Sequence, residues 1–242
     1  MQRHTGRAEL IDRLIPELER APACDSVLLA AFGRAVLRRA DDRYLFRHRL
    51  TTLSAQLRDS FAWIVEHAGS KEIHVRVFKP VDEAHGYELD GWVVETLMPD
   101  QPFIVDTSRL FFERAGIRTL NRLSVILPAV FDESRVLTQI GGKREEIEQV
   151  SYARTFVDLG DHNDPETVTR SLVERLTLAA AAVSDFSTMV GRVAQWSDDF
   201  VALGGKNAEW QDPCSEVADF LRWLIDDNFV FMGLLVESED VH

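Results

Sequence analysis

A chain of 242 residues can bury a sizeable core, and 45% apolar with 28% charged residues is the composition of a soluble globular protein, not a disordered one. Its 27 Lys and Arg against 40 Asp and Glu leave a formal net charge of -13, which argues against general affinity for nucleic acid or anionic membranes, since both need clustered cations. The longest strongly apolar tract, Leu178 to Val183, is far too short to span a bilayer, and the first thirty residues lack the layout of a secretory signal, so the chain reads as cytoplasmic.

The first seventy residues carry helical periodicity. Leu10, Leu14 and Leu18 share one face, with Pro16 and Pro22 expected to limit helix length there. Leu50, Leu53, Leu57, Phe61 and Ile64 form a second such stripe. The period then changes to two: in "KEIHVRVFKP", Ile73, Val75 and Val77 alternate with His74 and Arg76, as in a strand with one buried face. "VDEAHGYELDGW" should turn back through solvent, and "WVVETLM" is a second strand. A helix follows in which Ile104, Ser108, Phe111 and Ala115 share a face, with Gly116 placed to end it in a left-handed conformation.

"LSVILPAVFDESRVLTQIGGK" alternates at Leu123, Val125, Leu127 and Ala129, a long strand bent near Pro128 with a turn near Asp132 to Ser134. "SYARTFVDLG" is a further strand. Asp164 and Pro165 supply an N-cap and a first-turn proline for a helix whose apolar stripe runs from Val168 to Val193. So long an amphipathic rod needs more than a small sheet to cover it. A last helix is expected over Cys214 to Asp227, and "NFVFMGLLVESEDVH" reads as a strand just beginning, completed by a continuation beyond residue 242. The middle of the chain thus reads β, α, β, β, α, the ferredoxin-like α+β plan.

Motifs for common chemistries are missing: the chain has no GxSxG, HExxH, GxxxxGK[ST] or GxGxxG. "IGGKREE" at Ile140 to Glu146 lacks P-loop spacing and reads as a solvated hairpin turn. Asp198/Asp199 and Asp226/Asp227 are sequence neighbours, so on a helix their side chains diverge and cannot share a proton or a metal. "GDHNDP" at Gly160 to Pro165 serves a strand-to-helix turn. Cys24 and Cys214 have no metal-ligand spacing and read as reduced packing residues.

The stretch "MPDQPFIVDT" is left. Asp100 can cap the following helix and Pro102 is tolerated in its first turn, which explains both residues structurally. The free amides of such a helix start also favour an anionic group, for instance an amino-acid carboxylate, with Asp100 then on the ammonium. Both readings stand on the sequence. Asp106 lies inside the helix as a solvated residue or near a ligand.

"VRVFKP", "GWVVETLMPDQPFIVDT" and "EVADFLRWLIDDNFVFMGLLVESED" resemble, in order and spacing, successive stretches near the N-terminus of the large bacterial NAD-specific glutamate dehydrogenases. In that family the second stretch typically reads DMPFLVDS and the third resembles FLRWL-DDHFTFLGY. The resemblance spans Phe46 to Glu239. It implies an ACT-like region, a ferredoxin-like antiparallel sheet with helices on one face, flanked by an N-terminal helical segment and a long C-terminal helical extension. The implied division is residues 1–70 helical, 71–195 ACT-like including the long helix, and 196–242 a helical linker opening the next ACT-like module.

The family resemblance further implies no catalytic residue, metal or cofactor in this segment, with NAD bound elsewhere in the complete enzyme. Partners are then the rest of the chain and homo-oligomer subunits, with an amino-acid effector as a further candidate, held at Asp100, Gln101, Pro102, Phe103 and Asp106. Two departures bear on that site: Gln101 replaces the usual methionine, and Leu127-Pro128 stands where the family often has His-Pro.

Overall fold

The alternation in the middle of the chain builds an antiparallel sheet, described here from a computed structural model that covers residues 2–20, 25–142 and 147–235. Four helices precede it: α1 (Gln2–Glu19), α2 (Ser26–Arg39), α3 (Asp42–Arg47) and α4 (Leu50–His67). The strands are β1 (His74–Phe78), β2 (Trp92–Pro99), β3 (Arg118–Phe131), β4 (Leu137–Ile140) and β5 (Glu148–Asp158), in the spatial order β1-β2-β5-β3-β4. A one-turn helix α5 (Asp82–His85) lies between β1 and β2, and α6 (Ile104–Arg114) between β2 and β3. After β5 come α7 (Pro165–Gly204), a 3-10 turn at Ala208–Trp210, α8 (Gln211–Trp223) and a wider turn at Leu224–Asn228.

The pleat sends alternate residues to opposite faces. One face carries Leu97, Leu123, Val125, Leu127, Ala129, Val150 and Tyr152, and it packs on Leu14, Leu18, Phe32, Leu57, Phe61 and Ile64 from the N-terminal helices. The other carries Val94, Met98 and Val157 against Ile104 and Phe112 of α6 and Val168, Leu172 and Leu176 of α7. β2, α6, β3, β5 and α7 follow the ferredoxin-like plan, and the helical segment 1–70 covers the sheet face that this plan leaves bare. The fold is therefore the expected ACT-like α+β arrangement, with its second face closed.

Compactness divides the chain into two units, Met1–Thr177 and Leu178–His242. Residues 1–70 share one core with the sheet rather than forming a body of their own. The unit boundary falls inside α7, whose 40 residues exceed the expected span to Val193. Its stripe is buried at Val168, Leu172, Leu176 and Ala179, exposed at Phe186, and buried again at Met189 and Val193, so one helix contributes to two cores. In the second unit Met189, Val193 and Phe231 pack with Trp196, Leu221, Leu224 and Ile225.

Several local expectations hold. Gly116 ends α6 at φ 68°, where its backbone N–H and that of Ile117 return to Glu113 and Phe112. Asp164 caps α7, its Oδ1 accepting from the Thr167 amide at 2.9 Å. The long strand β3 changes register at Val130/Phe131 before a turn in which Asp132 accepts from the Ser134 and Val136 amides.

Others are corrected. Pro16 sits inside α1 instead of limiting it, because burial of Leu14, Ile15 and Leu18 compensates the one backbone bond a proline removes. The segment 81–91 is not wholly solvated, since Tyr87 turns inward and is only 3% exposed. Residues 229–235 form no strand. A strand needs a neighbour for its backbone groups, and here the segment is held instead by the Phe231 side chain on Met189 and Val193. Cys214 is buried and free. Cys24, Pro22, Lys143–Glu146 of the glycine hairpin and the last seven residues lie outside the described residues.

Candidate functional site

Two places concentrate polar groups in the first unit. One is the turn from β2 into α6, expected from sequence; the other lies under α4 and was not.

At the turn, the Asp100 amide donates to Gln149 O at 2.8 Å, tying the strand end to β5. Asp100 does not cap α6. The N-cap is Phe103, in a left-handed conformation (φ 72°, ψ 0°), and no side chain accepts from the first-turn amides. Pro102 correspondingly stands before the helix and not in its first turn. The cause is the extra residue between Asp100 and the helix: Phe103 takes the tight reversal, which places the Asp100 carboxylate in solvent. Phe103 is itself 44% exposed, and a bulky residue at positive φ costs about 1–2 kcal/mol. Gln101 is half-buried and its Nε2 has no hydrogen-bond acceptor among the described residues. Asp106 is exposed, 3.8 Å from Arg109. Thus Asp100, Gln101, Pro102, Phe103 and Asp106 all belong to one turn, whose unused groups are N–H donors flanked by two solvated carboxylates. Such an edge suits a carboxylate with a neighbouring cation.

The second place is a row across the sheet. Arg76 of β1 pairs in register with Glu95 of β2, Glu95 with Arg154 of β5, and Arg154 with Leu123 of β3. Glu95 is fully buried. Its Oε1 accepts from Ser60 Oγ, Tyr152 Oη and Arg154 Nη1, each at 2.6 Å, and its Oε2 accepts from Arg76 Nε at 2.6 Å. Arg154 also donates to Tyr87 Oη at 2.8 Å and to Ser60 Oγ at 3.0 Å. Arg76 reaches Asp59 of α4 at 3.1 Å, and its guanidinium lies 5.0 Å from the Trp63 ring centroid and 4.5 Å from that of Phe78. The inward turn of Tyr87 now has its reason: its hydroxyl joins Arg154 to Asp59.

Burial pushes the Glu95 carboxyl up, but Arg154, Arg76, Ser60 and Tyr152 outweigh it and hold the group below the ordinary carboxylate value. Burial and the Glu95 charge push the Tyr152 phenol well up. Arg154 is driven down by burial and more strongly up by Glu95 and the surrounding tyrosines, so it stays charged. Both carboxylate oxygens are occupied, and the adjoining cavity, lined by Tyr44, Gln56, Ser60, Tyr152 and Arg154, measures about 20 Å³. That is room for about one water molecule and for no substrate. The row locks helix α4 and the 81–91 loop onto the sheet; it is not arranged for turnover.

Sequence reasoning missed these residues because Arg76 fits an exposed alternate of β1. The available signal was Glu95 itself, a single acid inside "WVVETLM", with Arg154 similarly placed inside "SYARTFV". A charge in the middle of an apolar strand needs a partner. Of the other acids considered, Asp198 and Asp226 are exposed, Asp198 lying 3.8 Å from Arg222. Asp161 and His162 are in an exposed or half-exposed turn whose Asn163 bonds Leu159 O and Ala115 O. Among the described residues no group of three His, Cys, Asp or Glu is placed to hold a metal ion, and no helix is long and apolar enough to cross a membrane.

The chain is 30% identical to an NAD-specific glutamate dehydrogenase of Pseudomonas aeruginosa over 181 residues, 71% of this chain and 11% of that protein. It is 28% identical to an NAD-specific glutamate dehydrogenase of Halomonas elongata over 163 residues, 66% of this chain and 10% of that protein. The chain thus spans about a tenth of the length of these relatives. The family described as "Glutamate dehydrogenase, ACT1 domain" matches residues 32–175, which take in the whole sheet, the turn at Asp100 and the buried row. With a match over more than half its length, the chain belongs to the glutamate dehydrogenase ACT1 domain family.

Proposed function

We propose that this chain is a non-catalytic regulatory and assembly module of a large cytoplasmic NAD-dependent glutamate dehydrogenase. The complete enzyme would oxidise L-glutamate with NAD to 2-oxoglutarate, ammonia and NADH. The activity named for both relatives supports the parent reaction, and the chain's small share of their length supports a catalytic centre elsewhere in the protein. NAD then belongs to the complete enzyme. The partners are the rest of its own chain and the other subunits of a homo-oligomer.

The observation that carries the non-catalytic reading is Glu95. The most heavily partnered carboxylate of the first unit is fully buried with both oxygens engaged, so its ionic chemistry is spent on holding α4 to the sheet. The test is Glu95→Ala in the full-length enzyme. The reading expects altered subunit assembly or effector response with the catalytic constants of the folded enzyme retained; glutamate turnover by the 242-residue chain alone would sink it.

An amino-acid-sensing role is the second reading, favoured by one specific feature: α6 has no side-chain cap, and the buried Gln101 Nε2 in the preceding turn has no acceptor among the described residues. A ligand carboxylate would accept from those donors, with Asp100 and Asp106 on its ammonium and Phe103 against its side chain. Calorimetric titration of the full-length enzyme with glutamate, aspartate, arginine and branched-chain amino acids checks this. Absence of heat with all of them ends it.

A further inference from the structure

The charge of this acidic chain is unevenly placed. Residues 38–49 hold five arginines, Arg38, Arg39, Arg43, Arg47 and Arg49, against Asp41 and Asp42. All five arginines are exposed, and none of their guanidiniums makes an ion pair or hydrogen bond with another described residue. The two aspartates are already used: Asp41 accepts from the Arg43 amide, and Asp42 pairs with Arg7. On α3, Arg43 and Arg47 stand one turn apart with Phe46, 53% exposed, between them.

Residues 178–242 are the opposite, with three Lys or Arg and twelve Asp or Glu, a net charge of -9. The helix α8 there buries Cys214 and Ala218 and leaves out Val217, Phe220 and Trp223, the last two stacked at 6.1 Å and 52–56% exposed. Beside this apolar strip the helical spacing sets Asp212, Glu216 and Asp219 in one row leading to Trp223. Asp219 pairs with Arg222 at 3.2 Å, whereas Asp212 and Glu216 are unpaired among the described residues.

We propose that the arginine corner of α2 and α3 docks onto the acidic aromatic face of α8 in a second copy of this chain. The chemistry matches on both counts. Guanidiniums pair with carboxylates and stack on Trp and Phe faces, and Arg and Trp are among the residue types enriched at interface hot spots. Nucleic acid is the alternative partner for five arginines, but a net charge of -13 on the whole chain opposes the approach of a polyanion. The inference deepens the assembly half of the proposed function and rests on it.

Sedimentation velocity on the full 242-residue chain over a concentration series tests it, with Arg43→Glu/Arg47→Glu and Asp212→Lys/Glu216→Lys as exposed, fold-sparing variants. The expected result is self-association of the unsubstituted chain, weakened about tenfold or more in each variant alone and regained in their equimolar mixture, where opposite charges again meet. Association that neither variant weakens overturns this interface and leaves the assembly reading standing. A chain that stays monomeric throughout overturns this interface. A monomeric chain that binds a labelled oligonucleotide through Arg43 and Arg47 assigns the patch to nucleic acid and overturns the inference.

Discussion

Glu95 and Arg154 face each other in register on β2 and β5, joined by a 2.6 Å bond between two side chains that are almost wholly out of water. Removing one partner from such a contact is costly because the other is left buried and charged, which costs about 3–5 kcal/mol. Glu95→Ala leaves the buried Arg154 without a carboxylate and Arg76 with Asp59 alone. Denaturant unfolding of the variant should therefore show a loss on that scale, whereas Arg76→Met/Glu95→Leu/Arg154→Met should lose far less. Equal losses for the single and triple substitutions would mean that packing, not charge, holds this layer.

The same pair fixes an acid limit. The folded Glu95 carboxyl sits below its ordinary value of 4.5, because Arg154 and Arg76 outweigh the upward push of burial. The unfolded chain therefore takes up this proton first as pH falls, and the stability it contributes is fully present above about pH 4.5 and is lost below it. Unfolding free energy measured against pH should fall below that point in the unsubstituted chain and fall less steeply in Glu95→Gln. Identical slopes would remove Glu95 from the acid response.

Phe103 holds a positive φ of 72° without a glycine's freedom, at a position 44% exposed. Phe103→Gly relieves about 1–2 kcal/mol of strain and gives back about 0.5–1 kcal/mol in unfolded-state entropy. Thermal unfolding should shift slightly upward. A fall of several degrees would show that the exposed ring is held by contacts worth more than the strain.

Gly116 is the simpler case, since a Cβ there meets nothing within 4 Å and only its φ of 68° opposes substitution. Gly116→Ala should cost about 1 kcal/mol in unfolding experiments. Asp164→Ala should cost a similar amount by freeing the Thr167 amide at the start of α7.

What the sequence disclosed follows its periodicities. Leu123, Val125, Leu127 and Ala129 alternate and are all buried on one face of β3; Leu53, Leu57, Phe61 and Ile64 recur at helical steps and are all buried in α4. Local signals of this kind are carried by neighbours in the chain. Pairings between distant segments are not, so Arg76 looked like a solvent-facing alternate although α4 covers it through Asp59 and Trp63. The turn at Asp100 was located correctly and its cap misassigned, because a left-handed Phe103 is set by the geometry of the strand end and not by any residue preference. The segment at Phe229 carries strand-like residues, yet Phe231 packs in an apolar niche with Met189 and Val193, and no strand among the described residues pairs with the segment.

Glutamate-dependent NADH formation by the full-length enzyme carrying Glu95→Ala, expressed per folded NAD-binding site, tests the central claim most directly. The account predicts turnover at saturating substrate within about threefold of the unsubstituted enzyme, since Glu95 has both carboxylate oxygens engaged within the protein and offers neither to a reactant. A loss of about 100-fold or more per folded site, the scale of a missing acid–base group, would place this chain inside the catalytic machinery and contradict it.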